Sequence, residues 1–151
     1  MLNFARGDIL VVDDDVNALQ LLGRILENVG TLRYALNGDD ALRHASERVP
    51  ELVLLDAEMP GTTGLQVLAN FKADPRLSGV PIIFVTSHGE PDFEVRALEM
   101  GAVDFITKPV NGPVVVARVK THLRIQRLSS ELRFASETDA LTGIEIGRAH
   151  V

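Results

Sequence analysis

Cysteine is absent from the 151 residues. Disulfides, thiolate zinc centres and cysteine nucleophiles are thereby excluded, and the composition fits a reducing compartment. Tryptophan is missing too, and tyrosine occurs once. With 46% hydrophobic residues overall, the core must be aliphatic, built from Leu, Val, Ile and Ala. Long apolar runs are also lacking. The longest, such as ILVV (9–12) and LVLL (52–55), reach four residues, against roughly 20 for a bilayer span. The opening MLNFARGD carries no apolar stretch of the signal-peptide kind. The expectation is a soluble, cytoplasmic protein with no membrane partner, its length suiting one domain and a short extension.

Net charge is −6, unevenly spread. Residues 1–117 hold 17 acids and 9 bases, whereas 118–133 hold Arg118, Lys120, Arg124, Arg127 and Arg133 against Glu131 alone. An acidic body lacks the footprint that nucleic acid requires. The basic stretch reads as a solvated helix face.

Short β-rich runs alternate with helical segments. DILVVD (8–13), TLRYAL (31–36), ELVLLD (51–56), VPIIFVTS (80–87) and AVDFITK (102–108) read as strands. Residues 15–28 place apolar side chains at helical spacing, with Asp14 or Asp15 as cap and Gly30 as stop. Helices are also predicted over 38–47, 65–73 and 91–101, and a long one from Gly112 or Pro113 to about Glu137. MPGTTG (59–64) is a loop. Strands apolar on both faces and separated by helices imply a parallel sheet of right-handed βαβ units, hence a doubly wound α/β fold with five strands. The periodicity leaves strand order open.

In such sheets ligands bind beyond the carboxyl ends of the strands. Asp13 and Asp14 end the first strand, Asp56 the third, Thr86 the fourth and Lys108 the fifth. Singly, each has a bland reading as a cap, a turn residue or a solvated charge. Together they are a chemical device. Three clustered carboxylates resist simultaneous ionisation, and a hard divalent cation such as Mg²⁺ relieves the conflict while leaving coordination positions for phosphate oxygens. One carboxylate can then attack phosphorus. Lys108 offers a point charge and Thr86 a hydroxyl donor to the transferred group.

The segments ILVVDDD (9–15), LVLLDAEMPGTTG (52–64), PIIFVTS (81–87) and GAVDFITKP (101–109) resemble the bacterial response-regulator receiver, CheY-like, in order and spacing across nearly all of 8–120. The resemblance implies a flavodoxin-like sheet of order 2-1-3-4-5. It implies Asp56 as phospho-acceptor, and Mg²⁺ held by Asp13, Asp14, Asp56 and the backbone carbonyl of Glu58. It implies a sensor histidine kinase or phosphotransfer protein as donor. It further implies Thr86 and Phe105 as switch residues, Phe105 being otherwise a plain core aromatic. Glu58 and His88 fall where this family tunes the lifetime of the phosphoryl group. His44, His122 and His150 have no partners at metal-ligand spacing and read as surface residues.

A receiver ends near residue 122, so 1–122 is expected to be the domain and 123–144 a helical linker toward a missing output domain. Ile125, Leu128, Leu132 and Ala135 repeat at 3-4-3 spacing, a short seam that suggests homodimerisation through the extended C-terminal helix. The alternative is a linker helix lying on its own domain. The earlier stripe Val116, Val119 and Leu123 is expected to pack on the sheet. TDALTGI (138–144) resembles the start of diguanylate cyclase (GGDEF) domains, but EIGRAHV (145–151) departs from that pattern and is expected to be a vector-derived remnant. With no G-G-D-E-F segment, this chain is not expected to be an enzyme beyond its own phosphotransfer and dephosphorylation. Competing readings are a phosphorylation-independent dimerisation module, a receiver with a phosphatase or kinase output, and a haloacid-dehalogenase-type phosphatase. The last is disfavoured because DDDVN (13–17) replaces the D-x-D-x-[TV] signature.

Overall fold

Branched aliphatic residues occupy both faces of the strand segments, so each face needs a covering layer. The computed structural model, which describes residues 7–87 and 91–141 and side chains as far as 132, supplies one on each side. In chain order the elements are β1 (Gly7–Val12), α1 (Val16–Leu26), β2 (Gly30–Ala35), α2 (Gly38–Glu47), β3 (Leu52–Asp56), α3 (Gly64–Ala73), β4 (Ile82–Thr86), α4 (Pro91–Glu99), β5 (Asp104–Thr107) and α5 (Gly112–Leu141). All strand pairings are parallel, and the order is β2-β1-β3-β4-β5. This is the doubly wound, flavodoxin-like architecture that the resemblance implies.

Strand alternation divides the core in two. Leu10, Val12, Val53, Leu55, Ile82 and Phe84 point to one face, where Ala41, Ala45, Val67, Leu68, Phe71 and Ala97 of α2, α3 and α4 cover them. Ile9, Val11, Leu52, Leu54, Ile83 and Val85 point to the other, under Leu19, Leu22 and Leu26 of α1 and Val115, Val119 and Leu123 of α5. The central strand β3 is fully buried. Each such Leu or Val contributes roughly 1.5–3 kcal/mol of burial free energy.

Element ends depart from expectation in instructive ways. Asp15, not Asp14, caps α1, accepting the Asn17 N–H at 2.9 Å. Gly30 does not stop that helix, which ends at Leu26; it opens β2 instead. A side chain there would collide with the Gly7 carbonyl of β1, so the glycine serves close strand approach. β5 begins at Asp104 and ends at Thr107, which leaves Lys108 in the following loop. α5 is capped by Asn111, whose Oδ1 accepts the Val114 N–H at 3.1 Å. Its sheet-facing stripe is Val115, Val119 and Leu123, with Val116 at the margin. Positions 116 and 123 are seven residues apart and share a face, so Val116 packs against the same cluster while staying partly open.

Ile125, Leu128 and Leu132 are 51%, 53% and 72% exposed, and Leu128 lines a groove with Asn28 and Val29 of the α1–β2 turn. Ala135 belongs to α5, but its side chain is outside the described residues. His122 is not a free surface residue: it is largely buried and sits 3.0 Å from Asp104 Oδ2. His44 is half-buried, while His88 and His150 lie outside the described residues. Among the described residues, no helix is long and apolar enough to cross a membrane.

Candidate phosphoryl-acceptor site

Each site residue is placed by the strand it leaves. The Asp13 N–H donates to Ala35 O at 3.1 Å, which extends the β1–β2 pairing by one step and turns the Asp13 side chain onto the rim. Asp56 is the last residue of β3, and the Ala57 N–H beside it donates to Val85 O at 3.0 Å. The next loop returns at Gly64, where a Cβ would stand 2.8 Å from Phe84 Cε1 and 3.1 Å from Asp56 O. Only glycine lets α3 start this close to the Asp56 backbone. Thr63 then caps α3 reciprocally with Gln66, a capping box. Thr86 ends β4, and its carbonyl accepts the Lys108 N–H at 2.7 Å, which fixes the Lys108 backbone against the rim.

One carboxylate oxygen from each of Asp13, Asp14 and Asp56 falls within 4.8 Å of the others. Asp13, Asp56 and Thr86 are only 2–3% exposed, whereas Asp14 faces solvent. Lys108 Nζ stands 3.3 Å from Asp56 Oδ1 and 3.6 Å from Asp13 Oδ2, bridging the two buried acids. Asp56 Oδ1 also accepts the Glu58 N–H at 3.0 Å, and Asp13 Oδ1 the Asp15 N–H at 2.9 Å. Burial pushes the Asp56 carboxyl up to about 6, opposed by the Glu58 N–H, reinforced by the neighbouring Asp13 charge, and opposed again by Lys108. Burial works to lower Lys108, but the charges of Asp56 and Asp13 outweigh it and leave the ammonium raised. Three carboxylates against one ammonium leave an uncompensated negative charge, and the all-oxygen donor set suits a hard divalent cation.

The sequence-predicted set thus converges: Asp13, Asp14, Asp56 and Lys108 directly, and Thr86 through the Lys108 backbone. Phe105 does not reach this cluster. It is half-buried and stacks 6.1 Å from Phe84, with Phe93 of α4 6.2 Å away and edge-on. Phe84 and Phe93 complete an aromatic trio at 5.3 Å that sequence reasoning missed, since nothing in the spacing links these three strand and helix positions. Ser87 was missed as well. Its hydroxyl donates to Glu58 Oε1 at 2.8 Å; adjacency to Thr86 was the available signal.

The family profile described as the response regulator receiver domain matches residues 9–120. Among curated proteins, the chain is 34% identical over 127 residues to a probable cyclic di-GMP phosphodiesterase of Vibrio cholerae, covering 84% of this chain and 29% of that one. It is 32% identical over 142 residues to the response regulator PleD of Caulobacter vibrioides, covering 93% and 31%. It is 38% identical over 117 residues to the phosphate regulon transcriptional regulatory protein PhoB of Pseudomonas aeruginosa, covering 77% and 51%. The chain therefore spans about a third to a half of the curated relatives it matches. Among solved structures, NtrX from Brucella abortus superimposes with a TM-score of 0.79 at 32% identity, covering 86% of this chain and 29% of that one. The acid cluster, its lysine and these matches agree: the chain belongs to the response-regulator receiver family of two-component signalling.

Proposed function

We propose that this domain takes a phosphoryl group from a phosphohistidine donor onto Asp56 and relays the change to an output domain. The observation that carries the reading is the convergence of Asp13, Asp14 and Asp56 within 4.8 Å, with Lys108 Nζ 3.3 Å from Asp56. Asp13, Asp14, Asp56 and the Glu58 carbonyl would hold Mg²⁺, which supplies charge neutralisation at the transferred group. An Asp56 oxygen bonds to phosphorus, the bond from phosphorus to the donor imidazole nitrogen breaks, and its electron pair leaves with the imidazole. Lys108 neutralises a phosphoryl oxygen, and the Thr86 hydroxyl donates to another. Thr86 and Phe105 serve as the switch, Phe105 by changing its packing against Phe84 and Phe93. Glu58 and His88 tune how long the group survives.

Residues 1–122 are the receiver, 123–144 the linker and 145–151 a vector-derived remnant. The output we favour is a diguanylate cyclase: TDALTGI resembles the start of such domains, and the similarity to PleD runs for 142 residues, well past the family match. The native sequence beyond 144 tests this, and a phosphatase, kinase or DNA-binding module there would replace it. The acceptor chemistry is tested by incubating the chain with Mg²⁺ and acetyl phosphate. Intact mass should rise by one phosphoryl group, the gain should vanish with EDTA, and Asp56→Ala should abolish it. A chain that stays unmodified, or one labelled equally well as Asp56→Ala, overturns the proposal.

A further inference from the structure

Two loops meet across the mouth of the acceptor site. Glu58 lies in the β3–α3 loop, two residues past Asp56 and exposed, with its N–H on Asp56 Oδ1. Ser87 follows Thr86 at the end of β4. The Ser87 hydroxyl donates to Glu58 Oε1 at 2.8 Å across 29 residues of sequence. The register that sets Asp56 beside Val85 brings these two residues within reach of one another.

The geometry points to Ser87 as a positioning residue for phosphoryl loss, acting through Glu58 by holding the Glu58 carboxylate against β4. This rests on the acceptor reading above. In hydrolysis a water oxygen bonds to phosphorus and the bond between phosphorus and the Asp56 oxygen breaks, its electron pair remaining on the carboxylate. The water proton leaves with inorganic phosphate or passes to a nearby base. A carboxylate at the mouth can accept a hydrogen bond from that water and align it for attack. The Ser87 bond holds the Glu58 carboxylate against β4 for part of the time, and Glu58 aligns the water in the remaining fraction, when that bond is broken. The bond also ties Glu58 to the residue next to Thr86, so a shift at the end of β4 carries the carboxylate with it.

The test loads the full chain with acetyl phosphate and Mg²⁺, removes the donor, and follows decay of the acyl phosphate by phosphate-affinity electrophoresis. Glu58→Ala is expected to lengthen the lifetime. Ser87→Ala is expected to shorten it by about two- to tenfold, the range a single hydrogen bond commands. Ser87→Thr, which keeps the hydroxyl, should decay like the parent. The double variant should behave as Glu58→Ala alone. Mg²⁺ affinity, read by titration, should be the same for Ser87→Ala and the parent. An unchanged lifetime in Ser87→Ala overturns the inference, as does an equal effect in the Glu58→Ala background, because Ser87 would then act without Glu58. A parent chain that takes no phosphoryl group at all defeats the acceptor reading instead.

Discussion

Asp56 concentrates the conflict on which this domain is built. Its carboxyl is 2% exposed and lies beside a second buried acid, Asp13, with Lys108 alone among the described residues to balance both. Burial raises it from 3.8 to about 6. An acid whose folded value lies above its unfolded value contributes no penalty below the unfolded one. Stability is then lost as pH rises between the two and stays lost above the folded one. Removing the charge should therefore stabilise the metal-free protein. In EDTA at pH 8, Asp56→Asn is expected to raise the unfolding free energy by about 1–3 kcal/mol. Near pH 4 the advantage should vanish, because the parent carboxyl is by then protonated. Urea denaturation at the two pH values measures the difference; an equal or larger gain at pH 4 would show that charge is not its source. On the proposed reading function opposes stability here, because an amide at this position removes the charge and with it the nucleophilic oxygen.

At the level of elements, the join between β5 and α5 ties the edge strand to the longest helix. Asp104 opens β5 and is met by two α5 side chains: Arg118 Nη1 at 3.1 Å and His122 Nε2 at 3.0 Å. Its Oδ1 also accepts the Phe105 N–H at 2.8 Å. Burial works to raise the Asp104 carboxyl, but the Phe105 N–H, His122 and Arg118 outweigh it and leave the group lowered from its ordinary value. A depressed acid contributes stability above the unfolded value and loses it as pH falls through the folded one. Asp104→Asn should accordingly destabilise the protein by about 1 kcal/mol near neutrality, with the gap to the parent closing in acid. Thermal melts from pH 7 to pH 3 follow it, and a gap that widens in acid would contradict the assignment. The sequence placed both elements but did not show this clasp. His122 read as a surface residue because its partner stands 18 positions away and belongs to no helical or strand repeat.

On the scale of the whole molecule, α5 is 30 residues long, about 45 Å at helical rise, and its first half is held against the sheet. Val115, Val119 and Leu123 rest on the sheet, and Arg127 Nε reaches Glu51 Oε2 at 3.3 Å at the opposite end of the sheet from Asp56. Beyond Leu123 the stripe of Ile125, Leu128 and Leu132 stays exposed. An isolated helix of that composition is weakly stable on its own, which is why we propose that two copies pair along it. Leu128→Lys should shift a concentration-dependent dimer to monomer in sedimentation equilibrium while leaving phosphorylation of Asp56 intact. A parent chain that is monomeric at every concentration, with and without beryllofluoride, removes the dimer.

The sequence by itself determined the alternation of five strands with helices, the faces those elements bury, and the polar residues that close the strands. All of these are written in local periodicity and in where apolar runs stop. Strand order entered only through family resemblance, because a period of two says that a strand is buried but not which strand lies beside it. Tertiary structure alone decided that Asp13 is buried while Asp14 is open, that Lys108 bridges two acids, that Ser87 holds Glu58, and that Phe84, Phe93 and Phe105 gather. Each of these contacts joins residues set side by side by sheet register or by one layer packing on another, and no repeat along the chain records such a neighbour.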